Sequence, residues 1–263
     1  MEQLQPITQG QDRSKQYQGN ENIHLIIKGA FEYIHNDRVF SEENFLVFRN
    51  TKDNSIIFDS ELLTRLDTGE FLKVYVNYQI NKDWVPIDVV IDKQAGKQVA
   101  QERFKMDIKR NVLSYQFAIN KDKKEFKIQV PPKFQISTIN TVTSFAFISS
   151  KKYDPTGKNF YNVLVSDNIL DYRTPPKMNY VLMERIGTSI QKLKIKDKTL
   201  KAMLYKVYSQ DGFDNQTEPP ITIWVSKYYS IPYLIEAHND TKIQIKFLNE
   251  VDVSEIACAA NEH

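Results

Sequence analysis

The chain has 263 residues, 41% hydrophobic and 26% charged, with a formal net charge of +2. That is the balance of a folded globular chain, without the positive excess of a nucleic-acid-binding surface. Its eight glycines are never closer than nine positions apart, which excludes the G-x-G-x-x-G fingerprint, the phosphate loop and the G-x-S-x-G elbow. One cysteine, Cys258, and four scattered histidines exclude an internal disulfide, a Cys-pair zinc site and a local His motif. The expectation is no metal and no cofactor.

Residues 1–22 (MEQLQPITQGQDRSKQYQGNEN) are polar and Gln-rich. They read as a mobile tail with no apolar run that could serve as a signal peptide. No stretch approaches the roughly 18 apolar residues of a transmembrane helix. The expected location is therefore the cytoplasm, or the periplasm if a leader has been removed. From 23 to 250 the dominant signal is period-two alternation, which predicts strands. The first fall at 23–34, 43–49 and 55–66. In 70–80 Leu72, Val74, Val76, Tyr78 and Ile80 share a face, and in 84–92 Val85, Ile87, Val89 and Ile91 do. Asn81-Lys82-Asp83 between them suits a hairpin. Strands at 98–107, 111–119 and 124–130 follow.

Rhythm breaks in PPKFQISTINTVTSFAFISS, where Ile136, Ile139, Val142 and Phe145 are three apart. This spacing predicts one principal helix near 136–149, with its start set by Pro131 and Pro132. Seven more strands are expected at 159–167, 178–186, 189–195, 200–208, 221–227, 232–238 and 242–248. Residues 251–263 read as a short helix or tail. About fifteen hairpin-linked strands and no linker predict a mainly β chain. Its single large antiparallel sheet is curled into a barrel or half-barrel, all within one domain over 23–250. The turns carry mainly Asn, Asp and Lys rather than glycine.

Two carboxylates interrupt apolar faces. Glu102 falls in line with Ala100, Phe104 and Met106, and Glu184 with Met178, Tyr180, Leu182 and Ile186. A carboxylate on an inward face must pair, hydrogen-bond or stay protonated. In a pocket either could act as a general acid or base, or hold a ligand amine. The structural alternative is an ion pair with a neighbour such as Arg103 or Arg185. Tyr78, Tyr115, Tyr180, Tyr205 and Trp224 could line an apolar cavity with polar tips, suited to a hydrophobic or aromatic ligand. Ordinary core packing is the alternative for each.

The second half runs NFYNVLVSDN, MNYVLMERIGTSIQKLKI, LKAMLYKVYS and ITIWVSKYYSIPYLIEAHNDTKIQIKFLNEV. This order, with Trp224, Val225 and Ser226 ending a strand before Ile231 and Pro232, resembles a group of uncharacterised bacterial proteins with a curved antiparallel sheet. The group is similar in fold to the periplasmic lipoprotein carriers LolA and LolB and to VioE, an enzyme of violacein biosynthesis. The resemblance implies a half-barrel that binds a hydrophobic or aromatic small molecule, a lipid or an acyl chain in its concave face. Its other implication is a cofactor-independent enzyme, cyclase- or isomerase-like, steering a reactive intermediate in the same cavity. A third reading is an interaction protein whose concave face is filled. An open sheet also allows a homodimer through its edge.

Overall fold

The computed structural model describes residues 17, 20–66, 68–120, 122–151, 156–208, 219–226, 230–237 and 240–251. Most of the expected tail 1–22 and end segment 251–263, Cys258 included, lies outside them. The first strands are β1 (Ile23–His35), β2 (Arg38–Asn50), β3 (Ile56–Arg65), β4 (Phe71–Ile80), β5 (Pro86–Ala95), β6 (Gln98–Asp107), β7 (Val112–Ile119) and β8 (Asp122–Gln129). After them come β9 (Gln135–Ile136), helix α1 (Thr141–Ser144) and a 3₁₀ turn over Ala146–Ser150. The chain then forms β10 (Lys158–Val165), β11 (Lys177–Ile195), β12 (Lys198–Tyr208), β13 (Ile221–Ser226), β14 (Pro232–Glu236) and β15 (Thr241–Glu250).

All fifteen strands belong to one sheet, in the order β8-β7-β6-β5-β4-β3-β2-β1-β15-β14-β13-β12-β11-β10-β9. The chain starts at the middle, meanders out to the β8 edge, crosses to the β9 edge and meanders back until β15 pairs with β1. Every pairing is antiparallel except β9 with β10. The sheet is not closed, but only Val130 to Phe134 separate its two edge strands. A chain advances at most about 3.5 Å per residue, so the edges approach to within roughly 20 Å there. That proximity bends the sheet into a trough.

Alternation sets the core. Leu72, Val74, Val76, Tyr78 and Ile80 of β4 are all buried, on the face their spacing indicated. Among the described residues Asn and Asp supply six of the nine non-glycine positions at positive φ: Asn36, Asp37, Asn54, Asn111, Asn120 and Asp240. Their short polar side chains tolerate the left-handed region. Trp84 also sits there, at φ 61°, in a turn where Asn81 Oδ1 accepts the N–H groups of Asp83 and Val85. Its ring packs on the main core, which offsets the strain. Tyr17, inside the expected tail, is docked: its ring centroid lies 4.6 Å from that of Phe48 and its hydroxyl accepts from Asn77 Nδ2 at 2.6 Å.

Two expectations differ in extent. The segments 178–186 and 189–195 form one 19-residue strand, β11, whose pairing with β12 shifts register between Ile186 and Gln191. The helix expected over 136–149 is reduced to α1 and the 3₁₀ turn, because Ile136 already lies in β9. The local serines and threonines explain the shortening. Thr138, Thr143 and Ser144 hydroxyls all donate to the carbonyl of Asn140, the side-chain competition that breaks helices. The segment is nevertheless a plug: Val130, Phe134, Ile136, Val142 and Ala146 belong to the main core cluster.

Candidate functional site

Strand register traces one face across most of the sheet. Glu102 pairs with Ile91, Ile91 with Val76, Val76 with Ser60, Ser60 with Phe45 and Phe45 with Gly29. Two residues on, Phe31 pairs with Ile245. From Ile243 the face continues through Ile235, Ile223 and Tyr205 to Arg185. Tyr78 and Tyr115 lie on this face beside Val89 and Phe104. Tyr180, Glu184 and Trp224 occupy the alternate positions and lie on the other face.

The expectation that Glu102 and Glu184 enter one cavity with five aromatics is therefore corrected. Glu184 accepts from Tyr208 Oη at 2.9 Å and faces Lys158 at 3.7 Å. Tyr180 is 50% exposed. Trp224 packs half-buried on the main core, and Tyr205 on a second cluster around Tyr161 and Ile223. Tyr78 is fully buried, its hydroxyl accepting the N–H of Ile136 at 3.1 Å. It supports the plug, and burial pushes its pKa up. The physical reason for the corrections is that each β-bulge reverses parity, so faces read strand by strand do not join up. Only Glu102 and Tyr115 of the expected set come together.

Around Glu102 the structure builds a polar floor. Glu102 is 1% exposed and Lys93, two positions beyond Ile91 on β5, is 2% exposed. Lys93 Nζ donates to Glu102 Oε1 and to the carbonyl of Asn168. Glu102 Oε2 accepts from Tyr115 Oη at 2.8 Å and Ser166 Oγ at 2.5 Å. Burial, then the neighbouring carboxylate, push the Tyr115 phenol up. Asn168 fixes the loop between β10 and β11. Its Nδ2 donates to Tyr115 Oη and to the carbonyl of Thr174, both at 2.8 Å, and its Oδ1 accepts the N–H groups of Arg173 and Thr174.

Above this floor opens a cleft of about 480 Å³, within the usual range for small-molecule sites. Ile91, Ile139 and Ile169 supply apolar wall, Ser137, Thr138 and Ser166 supply hydroxyls, and Arg173 and Lys177 stand with Asp167 at its mouth. Among the described residues neither Arg173 nor Lys177 takes part in an ion pair. A second groove, of about 530 Å³, is more apolar and lies between the β11–β12 turn and β15. Among the described residues no three His, Cys, Asp or Glu side chains converge to hold a metal ion. No helix among them is long and apolar enough to cross a membrane.

Sequence reasoning missed Lys93, Ser166, Asn168 and a second buried carboxylate, Glu43. Lys93 carried the same signal as Glu102: a charge extending the apolar face of Val89 and Ile91. Glu43, in line with Phe45 and Val47, is fully buried. It accepts from Tyr33 Oη at 2.6 Å and from the N–H groups of Thr141 and Val142 at 2.6 and 3.1 Å. It thereby pins the start of α1 into the trough.

No family model matches the sequence, and no curated protein matches it at a significant level. Among solved structures the chain is similar to a β-barrel-like protein of the domain of unknown function DUF1849 from Brucella abortus. The TM-score is 0.55 at 8% identity, over 87% of this chain and 98% of that one. It is also similar to a DUF1089 family protein from Pseudomonas aeruginosa, with a TM-score of 0.49 at 11% identity, over 77% of this chain and 91% of that one. The Brucella likeness places the chain's fold among curved, β-barrel-like sheets and speaks to fold alone.

Proposed function

We propose that this chain binds a small organic anion in the cleft over Glu102. One observation carries the reading: a fully buried Lys–Glu pair forms the floor of an open cleft instead of being sealed by packing. Removing two charges from water is costly, and an apolar pair of similar volume would often serve stability as well or better. A charged pair at the floor of a cleft therefore asks for a role beyond stability. Arg173 and Lys177 at the mouth attract a carboxylate or phosphate, the isoleucines take its apolar part, and the hydroxyls fix its orientation. The second half resembles a group of curved-sheet proteins that is itself similar in fold to the lipoprotein carriers and VioE, which supports a ligand in the trough.

Calorimetric titration with a panel of small carboxylates tests this. Saturable binding that weakens with salt and falls roughly tenfold or more in the paired variant Arg173→Ala with Lys177→Ala is expected. A second reading, a hydrophobic or acyl ligand, is favoured by the groove where Ile195 and Leu200 face Tyr233, Ile245 and Leu248. Saturable binding of a fluorescent fatty acid, unchanged in the paired variant and with no carboxylate binding, would select that groove instead.

A further inference from the structure

Resting on that reading, we propose that Lys93 is an imine-forming lysine and that the anion the cleft accepts is a small 2-oxo acid. An ammonium has three donors. Two of those on Lys93 go to Glu102 Oε1 and the Asn168 carbonyl, and the cleft is lined by both Lys93 and Glu102. The amine is thus met by a base on one side and by space for a reactant on the other. Arg173 and Lys177 give the carboxylate of an oxo acid its counter-charge. Tyr115 and Ser166 both bond Glu102 Oε2 and hold that carboxyl group in place while its other oxygen exchanges a proton with Lys93.

The step balances without any further reagent. Lys93 passes a proton to Glu102, and the freed lone pair forms a C–N bond to the carbonyl carbon. The carbonyl π electrons move to oxygen, which takes the proton from Glu102 and gives a carbinolamine. The nitrogen then returns one proton to Glu102, which delivers it to the hydroxyl. Water leaves and the nitrogen lone pair completes a C=N bond. The net change is an ammonium and a ketone becoming a protonated imine and water. The imine keeps the positive charge of the amine it replaces, so Glu102 never remains buried without a cation, the arrangement that would cost most.

The full chain is incubated with pyruvate, the simplest ketone of this class, and sodium cyanoborohydride, and modified lysines are located by peptide mass spectrometry. Adduct on Lys93, formed at least roughly tenfold faster than on the exposed Lys97 and slowed by Arg173→Ala with Lys177→Ala, is the expected result. The paired variant Lys93→Met with Glu102→Leu removes both charges together, so neither is left buried alone. It should stay folded by circular dichroism and lose the fast adduct. Modification of Lys93 no faster than Lys97, or a fast adduct persisting in the folded paired variant, overturns the proposal. A saturable thermal shift with pyruvate but no Lys93 adduct would defeat the imine and leave the binding reading standing. Neither a shift nor an adduct would defeat both for this class of anion.

Discussion

Glu43 and Glu102 lie on the same face of the same sheet and are equally buried, yet they serve different ends. Among the described residues Glu43 meets hydrogen-bond donors, from Tyr33 and the first turn of α1, and no cation, and the plug seals it. Glu102 has a cation, Lys93, and opens on a cleft. A carboxylate interrupting an apolar face is one signal in sequence. What the chain lays over it decides whether it becomes a peg or a site.

The largest expected effect separates the two chemistries. Glu102→Leu or Lys93→Met leaves one buried charge without its partner and should destabilise by about 3–5 kcal/mol. Lys93→Met with Glu102→Leu should recover most of that loss, read as a coupling energy in a urea-unfolding double-mutant cycle. If the single changes cost no more than surface ion pairs do, the pair is solvated and the contrast between the two carboxylates collapses.

The next effect belongs to Glu43. Burial raises its pKa from 4.5 to about 7, against the lowering by Tyr33 and the α1 amides. The folded state therefore keeps a proton that the unfolded state releases at lower pH. The contribution is fully present below about pH 4.5 and is lost as the pH rises through about 7, a decline of about 3 kcal/mol. Unfolding free energies should fall along this curve from about pH 5 to about pH 8, and Glu43→Gln should flatten it. An unchanged slope in the variant would assign the pH dependence to other groups.

How much of this was legible follows from where parity survives. Within single strands it did: β4 buries the alternation its residues announced, and Glu102 with Tyr115 on the adjacent strands β6 and β7 needed only one hairpin to be joined. Glu184 needed nearly the whole sheet. Between it and Glu102 the register slips opposite Ala30 and Phe31, between Tyr33 and Ile34, and between Trp224 and Val225, and no sequence pattern marks those slips. The plug was legible as an apolar stripe but not as a broken helix, because the hydroxyls that bond Asn140 act through geometry rather than composition. Ser166 and Asn168 were invisible for another reason. They are ordinary loop residues that matter only because the β9–β10 edge comes to rest against β5, β6 and β7.

The smallest expected effect is the most direct check on the face assignment. Glu184 shares its face with Tyr180, and its side chain is 29% exposed opposite Lys158, which is 52% exposed. An ion pair this open is screened by water and salt and is worth about 0–1 kcal/mol. Glu184→Gln should therefore shift the urea midpoint slightly, keep the bond to Tyr208, and leave both carboxylate binding and the Lys93 adduct rate at wild-type values. Glu102→Gln in the same assays should abolish the adduct, since the amide cannot take the ammonium proton. Were Glu184→Gln instead to weaken binding as strongly as Glu102→Gln, the two carboxylates would have to share a cavity. The register path from Glu102 through Phe31, Ile243 and Tyr205 to Arg185 would then be broken by a bulge in solution.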